Sequence, residues 1–407
     1  MQAESKVKEI KNGGILSPKG FLADGIAAGI KKEKKDIGLI LSVVPATAAA
    51  VYTTNQFQAA PLKVTQDSIS HEGLIQAVVV NSGCANACTG DQGLKDAYET
   101  REWVAQKFNI PQHLVAVAST GVIGVTLPME KIKAGIEKLS PLATKEHANS
   151  FQKAILTTDT TMKACCFATE VNGKTVTMGG AAKGSGMIHP NMATMLGYIT
   201  TDANISQEAL QLALREVTEK SFNQITVDGD TSTNDTVLVL ANGQAGHDPL
   251  TPAHPDWSNF MGILTLTCES LAKQIAKDGE GATKLIEVEV QGALNELDAR
   301  IIAKQIVGSS LVKTAVYGAD ANWGRIIGAV GQTNAYLNPE NVDVSIGSIE
   351  MLKSSVPVSF SEEVALDYLK QDFIQIFVHL HCGEAVGKAW GCDLTYDYVK
   401  INASYRT

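Results

Sequence analysis

Gly179-Gly180-Ala181-Ala182-Lys183-Gly184-Ser185-Gly186-Met187-Ile188-His189-Pro190-Asn191-Met192-Ala193-Thr194-Met195-Leu196 is the stretch around which the chain is organised. It has too many glycines for a helix interior and too little turn chemistry for a simple hairpin. The glycines let backbone approach backbone or ligand closely. Pro190 fixes its own φ and biases His189 toward extended geometry. The run Met195-Leu196-Gly197-Tyr198-Ile199 reads as a buried strand. Ala193-Thr194 stands at its threshold. A small residue, a threonine and then a strand is what an internally processed threonine nucleophile needs, because its hydroxyl must reach the preceding carbonyl. Cleavage there would leave Thr194 with a free α-amine beside its own hydroxyl, a nucleophile carrying its own base. On composition alone the plainer reading is favoured, a glycine-rich connector into a core strand. A phosphate-binding loop is excluded. The spacing from Gly179 reaches Gly184, but Ser185 follows where a lysine is required.

Outward from this stretch, short apolar runs alternate with turn residues and amphipathic stripes. Ile37–Leu41, Val51–Thr54, Leu74–Val80 and Val115–Ala118 read as strands by their β-branched content. Leu94, Ala97, Tyr98, Val104, Ala105 and Phe108 mark a helix, as do Met129, Ile132, Ile136 and Leu139. Ser206 caps a helix with Leu210, Ala213, Leu214 and Val217 inward. Phe260, Leu264, Cys268, Leu271 and Ile275 form a long helix that stops at Asp278-Gly279. Ile286, Val288 and Val290 alternate with Glu287 and Glu289. This mixture of periods gives an α/β fold.

Several polar clusters interrupt the pattern. Ser119-Thr120-Gly121 follows a strand and reads as a strand-ending turn; such a turn can also aim N–H groups and a hydroxyl at one point. Thr157-Thr158-Asp159-Thr160 reads as a helix start. Gln224 to Thr236 is a very polar block between apolar runs. It lacks the offsets of a calcium loop and reads as a hydrogen-bonding scaffold. Glu280 sits between two glycines, either as a solvated turn carboxylate or as a contact for a cationic ligand. Lys313, Asp320 and Arg325 read as a structural ion network. His379 and His381 share a side of a strand without the further ligands a zinc site needs.

Composition bounds the classes. The chain has 407 residues, 44% apolar, 6% aromatic, with a net charge of −9. That charge argues against nucleic acid as a partner. Seven cysteines in no regular framework favour reduced thiols, and Cys84-x3-Cys88 has no matching second pair, so no metal is expected. The first residues lack the apolar core of a signal peptide, and Pro45 breaks the longest apolar run. No membrane association and a cytoplasmic location are expected.

Lys183-Gly184-x-Gly186-Met187 with Pro190-Asn191-Met192-Ala193-Thr194-Met195-Leu196 resembles the signature of the ornithine acetyltransferases of arginine biosynthesis, the bifunctional glutamate N-acetyltransferases. The resemblance continues through Tyr52-Thr53-Thr54-Asn55, the block ending at Thr236, Gly318–Ile326 and the C-terminus. Two departures stand out: Cys84 where the family usually has Asn, and Met162 where it often has Pro before lysine. The resemblance implies a layered α/β/α sandwich of the ornithine acetyltransferase and L-aminopeptidase type. It implies self-cleavage into segments 1–193 and 194–407 that stay together, as a heterotetramer of two of each. It implies transfer of acetyl from N-acetylornithine to glutamate through an acetyl-Thr194 ester, without a cofactor, with acetyl-CoA as a second donor. It assigns Thr120 and Gly121 to an oxyanion hole, and Thr157, Lys183, Thr194, Glu280, Asn402 and Thr407 to substrate. Lys183, close to the nucleophile, suits a substrate carboxylate. The competing readings are an N-terminal-nucleophile amidohydrolase or aminopeptidase, and an unprocessed amino-acid-binding paralogue.

Overall fold

The computed structural model describes residues 7–189 and 195–404. Among these residues, two sheets carry the fold. The larger has nine strands, in the order Lys8–Glu9, Lys163–Val171, Lys174–Lys183, Leu196–Thr201, Thr236–Ala241, Ile37–Tyr52, Leu74–Cys84 and Val115–Val122, with Phe21–Ile26 also on Ile37–Tyr52. Most pairs are antiparallel; Leu74–Cys84 with Val115–Val122, and Leu196–Thr201 with Thr236–Ala241, are parallel.

Alternation along the strands supplies a helix layer for each face. Ile37, Leu39, Ala77, Val79, Val115 and Val117 pack against the helices Ala60–Glu72, Gly90–Phe108 and Met129–Lys138. Ile40, Val78, Val80, Ala116 and Ala118 turn the other way and meet the helix Lys145–Ile155. This is α/β/α layering. The helix Trp257–Lys277 packs against Lys163–Val171 and Lys174–Lys183 of the larger sheet and also against Ala385–Cys392 of the smaller one. Cys268, Leu271 and Ile275 share a core with Trp390 and Cys392.

The smaller sheet has seven strands, including Leu285–Ala293, Phe373–His379 and Ala385–Cys392. Ile286, Val288 and Val290 face the helices Glu296–Gly308, Ser310–Tyr317 and Trp323–Val330, as the alternation predicts. The intervening Glu287 is not solvated. Its carboxylate accepts the Trp390 indole N–H at 2.6 Å and pairs with Lys273 at 3.3 Å.

Two expectations are corrected. The separate strands at 37–41 and 51–54 are one strand, Ile37–Tyr52, which runs through Pro45. Pro45 falls where pairing with Phe21–Ile26 has ended and pairing with Thr236–Ala241 has not begun, beside a register shift between Leu41 and Ala46. Its missing N–H therefore breaks no ladder bond. Among the described residues, Lys313, Asp320 and Arg325 form no ion network. The Lys313 ammonium donates to the Cys392 carbonyl, Arg325 donates to the Leu311 carbonyl at 2.8 Å, and Asp320 accepts from Asn322 at 3.1 Å. Each satisfies a nearby backbone or amide group instead.

Strands from both sides of residue 194 lie in one sheet. Leu196–Thr201 is bonded to Lys174–Lys183 on one edge and to Thr236–Ala241 on the other. Beneath it, Phe151 meets Tyr198 edge to face, with centroids 5.6 Å apart, and both are fully buried. Phe151→Ala removes a buried ring from this layer and is expected to cost about 3–5 kcal/mol. Thermal unfolding of the folded variant checks this. A melting temperature equal to wild type would mean that the layer is not packed as described.

Candidate active site

Ends of distant strands and three loops meet around one cavity of about 230 Å³. Six of the residues singled out from sequence line it: Thr120, Gly121, Thr157, Lys183, Glu280 and Asn402. Ala193, Thr194 and Thr407 lie outside the described residues. Ile188 and Met195, on either side of residues 190–194, both line the cavity.

Thr120-Gly121 ends the strand Val115–Val122, where the register sets Gly121 beside Gly83. Gly121 has φ +131, and a Cβ there would lie 2.4 Å from the Gly83 carbonyl carbon. Only glycine fits the turn. Asn234 holds it from behind, its amide donating to the carbonyls of Ala85 at 2.6 Å and Ser119 at 2.8 Å. Lys183, the last residue of the strand Lys174–Lys183, is 8% exposed and sets its ammonium 3.4 Å from the Thr120 hydroxyl. One cation therefore stands beside the hydroxyl of the turn.

Glu280 lines the same cavity from another loop. Its N–H donates to the Ser185 carbonyl at 3.0 Å, and its carboxylate accepts the Asn402 amide at 2.8 Å. Asn402 comes from the helix Tyr396–Ser404. Gly186 makes room for this carboxylate: a Cβ there would fall 2.4 Å from the Glu280 side chain.

The polar block at 224–236 is the scaffold expected, and it grips the chain on both sides of residues 190–194. Asp228 accepts the N–H groups of Met187 at 2.7 Å and Ile188 at 2.8 Å. Val227 donates to the Ile188 carbonyl and Thr231 to the His189 carbonyl, at 2.7 and 2.8 Å. Downstream, Thr236 donates to the Met195 carbonyl at 2.9 Å. Met187 is held at φ +56, a costly conformation for a residue with a side chain. The two bonds to Asp228 offset that cost.

The helix start expected at Thr157–Thr160 is not there. These residues form a loop between the helix Lys145–Ile155 and the strand Lys163–Val171. The buried Lys163 claims the Asp159 carboxylate at 2.7 Å, and Asp159 also accepts the Thr157 N–H, so it caps a turn rather than a helix.

Burial sets the charge states. Burial alone would raise Asp159, but Lys183 and Lys163 outweigh it and hold the carboxyl near 2. Asp235 also lines the cavity, and there burial wins. Its pKa is pushed well above the usual range against the opposing pull of Ser232 and Lys183, and its Oδ2 has no hydrogen-bond partner among the described residues. Asp228 is raised by burial too, with the Ile188 and Met187 N–H groups pulling back. Burial, with the Lys304 charge adding to it, pushes His189 down to about 4, so the ring bonded to Thr226 is neutral at neutral pH.

Asp228, Asp235 and Tyr398 are cavity residues that the sequence reading did not single out. The signal present was a polar block of small residues and carboxylates between apolar strands. It marked the loop but not which side chain faces inward. The cluster His71, Glu72 and His113, whose ligand atoms lie within 4.8 Å of one another, sits at the start of the strand that ends in Thr120-Gly121, away from this cavity.

The sequence profile of the ArgJ family matches residues 22–407. The chain is 66% identical over 403 residues to the arginine biosynthesis bifunctional protein ArgJ of Geobacillus kaustophilus, covering 99% of this chain and 98% of that protein. It is 61% identical over 395 residues to the protein of that name from Bacillus subtilis, covering 97% of each. The crystal structure of ArgJ from Bacillus halodurans matches at 62% identity and a TM-score of 0.51, with 52% of this chain and 100% of that chain covered.

The charge states predict a pH dependence. The folded pKa of Asp159 is about 2, below the unfolded 3.8, so its contribution is present above pH 3.8 and is lost as pH falls toward 2. The shift is worth about 2 kcal/mol. Asp159→Asn should therefore lower stability at neutral pH, with the gap to wild type narrowing in acid. Thermal melts across the acid range measure the gap; one that stays constant would contradict the assignment.

Proposed function

The chain belongs to the ArgJ family of arginine biosynthesis, and on that premise we propose that it cleaves itself before Thr194 and then carries acetyl from N-acetylornithine to glutamate on the Thr194 hydroxyl. One observation carries the reading. A single cavity joins a Thr-Gly turn, a buried lysine and a buried glutamate, and both flanks of residues 190–194 are pinned to its rim.

In the first step the Thr194 hydroxyl adds to the Ala193 carbonyl and the C–N bond breaks, its nitrogen taking the proton. Water then opens the ester, leaving an Ala193 carboxylate and a free Thr194 α-amine. Residues 194–407 are about half of the chain, the share that the solved chain from Bacillus halodurans covers. In transfer, that amine, with an ordinary pKa of about 7.7–8.0, takes the hydroxyl proton at neutral pH. The hydroxyl attacks the acetyl carbonyl, N–H groups and the hydroxyl of Thr120-Gly121 hold the oxyanion, and ornithine leaves with the proton. The amine of glutamate then attacks the ester and frees the hydroxyl.

Both amino acids carry an α-carboxylate, which Lys183 can anchor with Thr157 beside it. Only ornithine carries a second cation, and Glu280, oriented by Asn402, is its contact. Thr407 closes the site. Acetyl-CoA serves as a second acetyl donor to the same hydroxyl, with the thiol as leaving group. The working form is a cytoplasmic heterotetramer of two 1–193 and two 194–407 chains.

Purified wild type is expected as two fragments that separate only under denaturing conditions, and Thr194→Ala as one intact chain. An intact wild type with full transfer activity would sink the proposal. Thr120→Ala should slow both cleavage and transfer by roughly 10²–10³-fold, the cost of one oxyanion donor. Release of thiol from acetyl-CoA with glutamate present tests the second donor; no release above the uncatalysed rate would leave acetylornithine alone.

A further inference from the structure

Behind the cavity lies a set of charges that does not line it. The Lys163 ammonium is fully buried and bridges two carboxylates, Asp159 at 2.7 Å and Asp278 at 2.5 Å. Asp159 reaches the Lys183 side through its carboxylate, and Asp278 reaches the Glu280 side through its main chain. Asp159 accepts the N–H of Gly184 at 2.6 Å, next to Lys183, and the N–H of Thr157 at 3.0 Å. Asp278 stands two residues before Glu280. Its carboxylate accepts from the N–H and hydroxyl of Thr160 and from the N–H of Thr161, and its carbonyl accepts the Ser185 hydroxyl at 2.7 Å. Ser185 in turn accepts the Glu280 N–H at 3.0 Å.

One continuous brace thus runs from Lys183-Gly184 through Asp159, Lys163 and Asp278 to Glu280. We propose that Lys163 and its two carboxylates are positioning residues that fix the separation between the two charged ends of the cavity, and so match it to the length of the amino acid it binds. The inference rests on the reading of Lys183 as the carboxylate anchor and Glu280 as the cation contact.

Physical chemistry favours such a brace. A buried ion pair adds little net stability, but its geometry is stiff, because breaking either contact strands a charge away from water. A shift of about 1 Å at a binding group is enough to cost a large factor in rate. The brace is also divided. Asp159 acts on the Lys183 wall, which meets both substrates, and Asp278 acts on the Glu280 wall, which meets only the cationic one.

Lys163→Met strands two buried carboxylates and tests folding more than positioning, so the carboxylates are the sites to change. Steady-state kinetics with acetylornithine and glutamate varied separately are compared for Asp159→Asn, Asp278→Asn and Asp278→Glu, with Glu280→Gln as the control. Asp278→Glu keeps the ion pair but lengthens it by one methylene, and serves if the amide variant does not fold. The expected result is that both Asp278 variants raise KM for acetylornithine about tenfold and leave KM for glutamate within about twofold, whereas Asp159→Asn raises both alike. Loss of stability alone would lower the active fraction and spare the KM split. If Glu280→Gln discriminates between the substrates and the Asp278 variants do not, the brace does not position the wall and the inference is wrong. If Glu280→Gln itself shows no preference for acetylornithine, the reading of the site fails and takes the inference with it.

Discussion

The strand Leu196–Thr201 is bonded along both edges inside the larger sheet, and the site depends on this. An interior strand cannot leave without breaking two ladders, and its buried side chains hold it from both faces. The cleavage proposed before Thr194 falls two residues ahead of this strand in the sequence. The strand Lys174–Lys183 on one side brings Lys183, and the strand Thr236–Ala241 on the other extends the polar block that grips Met187, Ile188 and His189. The positions of Lys183 and of the clamp on Met187, Ile188 and His189 therefore derive from one strand order.

Charge is distributed around this frame by a contest between burial and partners. Asp159 and Asp235 are both deeply buried, and Lys183 acts on both. Asp159 has Lys163 in direct contact as well and stays ionised. Asp235 has no second cation among the described residues, so desolvation wins and its pKa rises. The Lys183 ammonium stands beside the Thr120 hydroxyl, and Asp159 accepts the N–H of the adjoining Gly184 at 2.6 Å.

Local pattern made much of this legible. The strand after Thr194, the Ser206-capped helix, the alternation at Ile286–Val290 and the small-residue loops were readable because each depends on near neighbours. Thr120 and Lys183 are 63 residues apart, and nothing in either neighbourhood says that they meet. That information lies in the sheet order. The same limit explains Glu287, which alternates like a solvated residue but is covered by Trp390 from a strand roughly a hundred residues on. Pro45 misled because a proline was read as a strand end, when an unpaired stretch of strand can hold one. Thr157–Thr160 misled because threonine and aspartate serve loops as well as helix caps, and only the buried Lys163 decides between them. The catalytic assignment of Thr194 came from resemblance and from the chemistry of a small residue before threonine; composition alone favoured a connector.

The central claim is that the Thr194 hydroxyl carries the acetyl group between two amino acids. The most direct measurement is a rapid quench after mixing the protein with acetylornithine and no acceptor, followed by mass analysis of the fragment that begins at Thr194. The account predicts a gain of one acetyl group on that fragment, lost again when glutamate is added, together with parallel double-reciprocal lines. An unmodified fragment at every time point, with intersecting lines, would contradict it and point to direct transfer between two bound substrates.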